Sequence, residues 1–177
     1  MKYYKFFDHD ETPYREYDLS GKEYRDLIGL CFRYSDVLSF INCSPDKRIV
    51  KLIENDHISR PDYIRTDNSL YGYGYLNDDE IGLRFYRLGS EIMEMMLSET
   101  GSIFDWISGR GFNNPENPVF YRKDGSIFFS SIIHEGEITL SVNDDEDVSS
   151  IISNAGWKEV SDFNYHGYSY DELRRQP

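Results

Sequence analysis

Between Lys123 and Lys158 this chain has no lysine or arginine. In that stretch stand Asp124, Glu135, Glu137, Asp144, Asp145, Glu146 and Asp147, seven carboxylates that account for about half of the formal net charge of −13. The negative field is thus concentrated in one part of the sequence, where it favours basic partners. Binding to nucleic-acid phosphates or to anionic lipid is driven largely by Lys and Arg displacing counterions. With a pI near 4.6, direct contact with nucleic acid or membrane is disfavoured.

Cysteine is scarce as well. The two present, Cys31 and Cys43, sit in apolar sequence without Cys-x-x-Cys spacing, so they read as reduced core thiols of a cytosolic protein. Long hydrophobic runs are missing, none approaching the ~18 residues of a membrane span. Met1 to Asp10 mixes Lys2 and Lys5 with aromatics and two acids, and has neither an apolar h-region nor a cleavage site. These absences predict a soluble, cytoplasmic protein. No catalytic or metal signature stands out, and neither repeats nor low-complexity segments occur, so composition alone does not identify a reaction or a cofactor.

What is abundant is aromatic surface. Fifteen Tyr, 11 Phe and 2 Trp compensate for an apolar content of 39% in 177 residues, enough for a single folded domain spanning 1–177. Tyr3 to Phe7 reads as a strand. Ser20 and Glu23 have capping-box spacing ahead of Tyr24, Leu27, Ile28 and Cys31, which recur at helical intervals. Val37 to Ile41 is a second strand, Ser44-Pro45 opens a helix ending near Asn55, and His57 to Ser69 is irregular. A strand over Leu83 to Leu88 precedes a helix capped by Ser90 and carrying Ile92, Met95, Met96 and Leu97. Ile103, Phe104, Trp106 and Ile107 suggest a further short turn. Val119 to Arg122, Ser126 to His134 and Glu137 to Val142 form a meander, turning at Asp124-Gly125 and Glu135-Gly136. Asn143 with Glu146 caps a last helix containing Val148, Ile151 and Ile152 and ended by Gly156. Trp157 to Val160 is a final strand, followed by the polar tail 164–177. The predicted fold class is α+β: a mainly antiparallel sheet with a C-terminal β-meander and about four helices packed on it. Phe120, Phe128, Ile132, Ile138, Leu140 and Trp157 are its expected core.

Several constellations invite a chemical reading. His134-Glu135 resembles part of a dyad, but strand neighbours point to opposite faces and no nucleophile motif accompanies them. Asp8-His9-Asp10 puts two carboxylates on one side of an extended segment, too few oxygen ligands for a dedicated cation site. Gly72-x-Gly74 lacks the third glycine of a phosphate cradle, since Asn77 stands there. Met93, Met95 and Met96 resemble a pliable binding surface, though a core helix is the commoner home for such spacing. Asp144 to Asp147 complement a helix macrodipole, yet four successive acids exceed that need, leaving a solvated face and a docking face both open. Tyr71, Tyr73 and Tyr75 share one face of an extended segment, as in a buried strand or a tyrosine-rich interface.

Phe104-Asp105-Trp106, the loop Pro115 to Pro118, Phe120-Tyr121-Arg122-Lys123-Asp124-Gly125 and His134-Glu135 follow one another in a characteristic order. With Leu30 to Asp36 as a helix running into a strand, this pattern resembles small acidic bacterial immunity proteins encoded near polymorphic toxins and contact-dependent inhibition systems. Ile127-Phe128 stand where that pattern has a tryptophan. The resemblance implies a protein that binds the C-terminal domain of one cognate toxin and blocks it. Many such toxins are nucleases with basic clefts, which an acidic protein can occupy as an anionic decoy. The expected contact residues are Asp144, Asp145, Asp147, Glu135 and Glu137, with Asp78, Asp79 and Glu80 as a rival edge beside Tyr71, Tyr73 and Tyr75. No catalytic residue, metal or cofactor is expected. The alternatives are a small metal-assisted hydrolase built on Asp8, Asp10 and His134, or a scaffold module.

Overall fold

Tyr24, Leu27, Ile28 and Cys31 make the buried stripe of α1 (Gly21–Tyr34) in the computed structural model, which describes residues 1–7, 19–42, 62–64, 82–106, 108–109, 112–154 and 156–161. Ser20 precedes this helix but makes no side-chain cap. Glu23 instead accepts a bond from Asn154 Nδ2 at 2.8 Å, tying the start of α1 to a distant turn. Ile92 and Met96 are the buried residues of α2 (Ser90–Glu99), whose N-cap is Gly89 rather than Ser90. α3 is only Ser149–Ile152. Three α-helices, not four, therefore stand among the described residues; the segment 44–55, expected to form another, lies outside them.

Capping-box chemistry does occur, at Ser102 and Asp105. Ser102 Oγ accepts from Phe104 N at 3.1 Å, while Asp105 Oδ2 accepts from Ser102 N and from Gly101 N, both at 3.0 Å. This box starts the 3₁₀ turn Ile103–Asp105 and delivers Trp106 into the core. There the indole Nε1–H donates to the Tyr24 hydroxyl at 3.0 Å, which in turn meets Thr100 Oγ1 at 2.6 Å and Met96 O at 3.2 Å. The polar tips of Trp106, Tyr24 and Thr100 thus satisfy one another and Met96 O, as burial demands.

The strands are β1 (Lys2–Phe7), β2 (Val37–Asn42), β3 (Asp62–Ile64), β4 (Gly82–Arg87), β7 (Glu116–Tyr121), β8 (Ile127–Ile132), β9 (Glu137–Val142) and β10 (Trp157–Val160), with a separate ribbon of β5 (Ser108–Gly109) and β6 (Phe112–Asn113). They form an eight-stranded sheet in the order β10-β1-β9-β8-β7-β2-β4-β3, antiparallel at every pairing. The architecture is α+β, and β7, β8 and β9 are the expected meander. β1 inserts between β9 and β10, so the chain's first strand is held on both edges.

Because side chains alternate across a strand, the register Tyr4↔Leu140↔Phe129↔Phe120↔Leu38↔Tyr86 lays one apolar row across the sheet. The helices cover that face, and Phe40 stacks on Trp106 with ring centroids 4.9 Å apart. Phe120, Phe128, Ile138, Leu140 and Trp157 are buried, but Ile132 is only half-buried: it lies opposite Glu137, on the far face. That far face is itself covered around β7, where Phe85, Val119 and Tyr121 are buried and the rings of Phe85 and Tyr121 lie 5.7 Å apart. All six residues of β7 are buried, so the strand begins at Glu116, three residues earlier than the apolar pattern indicates. Asn117 is its irregularity. It takes a positive φ of 54°, which Asn tolerates better than most residues, and its Oδ1 accepts from Ile133 N at 2.8 Å.

No helix among the described residues is long and apolar enough to cross a membrane.

Candidate functional site

Antiparallel pairing brings Lys2, Val37, Arg87, Tyr121 and Val142 to the same end of the sheet. Two turns close the chain there: Arg122 to Ser126 between β7 and β8, and Asn143 to Val148 after β9. In the first, Gly125 has φ 87°, the left-handed conformation the Asp-Gly pair supplies, and its N–H reaches Arg122 O at 2.9 Å. Asp124 Oδ1 accepts from Ser126 N at 2.9 Å and Ser126 Oγ at 2.7 Å. Those bonds favour its charged form and hold its carboxyl below the usual range.

Inside these turns Arg122 meets Glu146. The guanidinium Nε and Nη2 donate to the two carboxylate oxygens at 2.6 Å each, and both side chains are less than a tenth exposed. Nη1 donates to Ile127 O at 2.6 Å and Ser126 Oγ at 3.3 Å, and Nη2 also to Ser141 O. All five guanidinium donors are therefore used, and the cation lies 5.3 Å from the Phe128 ring centroid. Glu146 Oε2 also accepts from Asn143 N at 2.7 Å. The Asn143/Glu146 capping-box spacing thus stabilises a tight turn, not the helix expected after it, because α3 begins only at Ser149.

With Glu146 turned inward, its neighbours face out. Asp144, Asp145 and Asp147 are exposed. The N-terminal ammonium lies 3.2 Å from Asp144 Oδ1, but that carboxylate is 90% exposed and the pair is screened. Hydrogen bonding from the Ser149 side chain, and then from its backbone N–H at 3.0 Å to Oδ1, holds the Asp147 carboxyl below its usual range. Its backbone N–H donates to Tyr34 Oη at 3.0 Å, fastening the turn to the last residue of α1.

Glu135 and Glu137 do not join this cluster. They stand at the opposite end of β9, about 17 Å away by strand rise, and Glu137 takes the Lys5 ammonium at 2.8 Å. Ile133–Glu135 is a 3₁₀ turn closed by left-handed Gly136, so His134-Glu135 is not the end of a strand as the sequence pattern suggests. Asp8, Asp10, Cys43, Tyr71, Tyr73, Tyr75, Asp78, Asp79 and Glu80 lie outside the described residues. Among the described residues no group of three or more His, Cys, Asp or Glu side chains could hold a metal ion.

Beside the acidic turns the same rim carries a groove of about 590 Å³ that sequence reasoning missed. Phe32 and Ser35 from the end of α1, Asp36 before β2, Arg87 at the end of β4, Leu88 to Ser90 and Met93 at the start of α2, and Lys123 of the β7–β8 turn line it. Compared with protein families, characterised proteins and solved structures, the chain matches none.

Proposed function

We propose that the chain is a stoichiometric, non-enzymatic inhibitor of a cationic protein: an immunity protein that acts in the cytoplasm on one cognate toxin domain, above all a nuclease with a basic cleft. The observation that carries this reading is the division of labour within Asp144 to Asp147. Glu146 is buried against Arg122, while Asp144, Asp145 and Asp147 project from the turn that this pair anchors, with Asp124 exposed on the adjoining turn. A charged edge on a fixed backbone loses little conformational freedom when it docks. It also steers a basic partner at long range, which raises the association rate more than the final affinity. The order of Phe104-Asp105-Trp106, Phe120 to Gly125 and His134-Glu135 supports the same reading through its resemblance to immunity proteins.

The test is to search the neighbouring genes for a secreted protein with a variable C-terminal domain and to co-express that candidate toxin domain with this chain. The expected result is a 1:1 complex in which toxin activity falls linearly to zero at equivalence, with no turnover of the toxin. Failure to form any complex, or substoichiometric inactivation of the toxin, would remove the proposal.

A further inference from the structure

The groove beside the acidic turns has the opposite electrostatic character to the rest of the protein. In a chain of net charge −13, Arg87 and Lys123 both line it, both are exposed, and neither forms an ion pair with a described residue. The N-terminus of the ten-residue helix α2 opens on the same space, and no side chain among the described residues caps it. Its first N–H groups therefore point outward with a partial positive charge, the usual setting for an anion.

A second, independent observation comes from Ser35. This residue lines the groove, is only 7% exposed, and its hydroxyl has no hydrogen-bond partner among the described residues. A buried hydroxyl normally has a partner, and leaving one unpaired costs free energy. Phe32, Leu88 and Met93 supply apolar wall, and the volume is that of a small-molecule cleft. Asp36, the one carboxylate among the described lining residues, limits the excess of positive charge and favours a singly or doubly charged head over a polyanion.

We infer that this groove binds a small organic oxyanion, a phosphate or carboxylate carried on an apolar body. The head group lies between Arg87, Lys123 and the α2 amides, and rotation of the enclosed Ser35 hydroxyl about its Cα–Cβ bond brings it in as a further partner. The site stands apart from the inhibitor reading, since it needs no toxin.

Calorimetric titration of the intact protein with phenyl phosphate, benzoate, inorganic phosphate and phenol tests it. Phenyl phosphate, benzoate or both should bind saturably, and whichever binds reports the preferred head group. Inorganic phosphate should bind more weakly, and phenol not at all. Arg87→Gln and Lys123→Gln should each weaken binding at least ~10-fold, the usual loss of a charge-assisted hydrogen bond, and Ser35→Ala less. Lys2→Gln, at an exposed lysine outside the groove, should leave it unchanged. Among the described residues none of these four side chains makes a buried hydrogen bond or ion pair, Lys2 having only an exposed pair with Glu159, so the fold should survive each change. No saturable binding of either organic anion up to ~10 mM, equal binding of phenol, or binding indifferent to Arg87→Gln and Lys123→Gln would overturn the assignment.

Discussion

Arg122 and Glu146 face each other fork to fork, joining two turns that lie 24 residues apart in sequence at one end of the sheet. Taking two charges from water is costly, and the attraction recovers that cost only when geometry and remaining hydrogen bonds are good. Here every guanidinium donor is used, and Glu146 additionally holds Asn143 N–H. The pair therefore fixes the backbone from which Asp124, Asp144, Asp145 and Asp147 project.

Removing one partner should be far worse than removing both. Glu146→Ala, which leaves the guanidinium buried and uncompensated, is expected to cost about 3–5 kcal/mol in urea unfolding. Arg122→Met with Glu146→Met should cost clearly less than the two single changes added together. A loss below about 1 kcal/mol for Glu146→Ala would show that the pair does not anchor the turns.

Tyr24 makes alkaline stability informative. Burial pushes its phenol up to about 12 from an ordinary value of 10.0, against the opposing effect of its bonds to Thr100 and Trp106. Its folded pKa lies above its unfolded one, so between these values the folded state binds more protons and stability falls as pH rises. The neutral phenol's contribution is complete below pH ~10 and is lost toward pH ~12, on the order of 3 kcal/mol. Tyr24→Phe strands the Trp106 N–H and should cost about 1–3 kcal/mol at pH ~8. The difference between wild type and Tyr24→Phe should shrink steadily from pH ~10 upward; a constant difference would contradict the assignment.

Gly156 reads from sequence as the stop of the last helix, but α3 is already complete at Ile152. The residue is instead a close approach: a Cβ there would collide with Phe6 Cε2 and stand only 2.6 Å from Cζ. Phe6 is fully buried and set edge-on to Trp157 at 5.3 Å, which leaves it little room to yield. Gly156→Ala should therefore destabilise the protein by about 1–3 kcal/mol, the usual cost of overpacking. Gly29→Ala, inside α1 with nothing within 4 Å of the added Cβ, is the control and should be neutral or slightly stabilising in thermal melting, since Ala is the better helix former.

Periodicity located the elements whose two faces differ. Tyr24, Leu27, Ile28 and Cys31 announce α1, and the meander follows from Asp-Gly and Glu-Gly turns between alternating apolar runs. It failed where both faces are buried or where tertiary partners decide. Glu116-Asn117-Pro118 begins a strand covered on each side, so no alternation marks it. Ser20 and Glu23 have the spacing of a capping box, yet Glu23 is engaged by Asn154, and the box forms at Ser102 and Asp105 instead. Glu146 looks like one acid among four, since only the approach of Arg122 separates it from its neighbours. The acidic stretch was legible as a concentration of charge, but β9 divides it, carrying Glu135 and Glu137 to one end and Asp144, Asp145 and Asp147 to the other. Arg87, Lys123 and Ser35 come from three distant segments, and no sequence spacing links them.

That division yields a directional test of the inhibitor. Asp144→Asn, Asp145→Asn and Asp147→Asn together should slow association with the toxin about 3- to 10-fold at low salt and flatten the salt dependence, because charge steering acts on encounter. The fold should survive, since the amide that replaces the Asp147 carboxylate keeps an oxygen for Ser149 N–H and Glu146 is untouched. Glu135→Gln with Glu137→Gln, at the far end of β9 and already offset in part by Lys5, should alter the rate much less. The same stopped-flow series with Asp78, Asp79 and Glu80 neutralised measures the rival edge. Equal effects from the first two sets would mean that net charge alone matters, and rates indifferent to all three would replace the electrostatic decoy with an apolar contact.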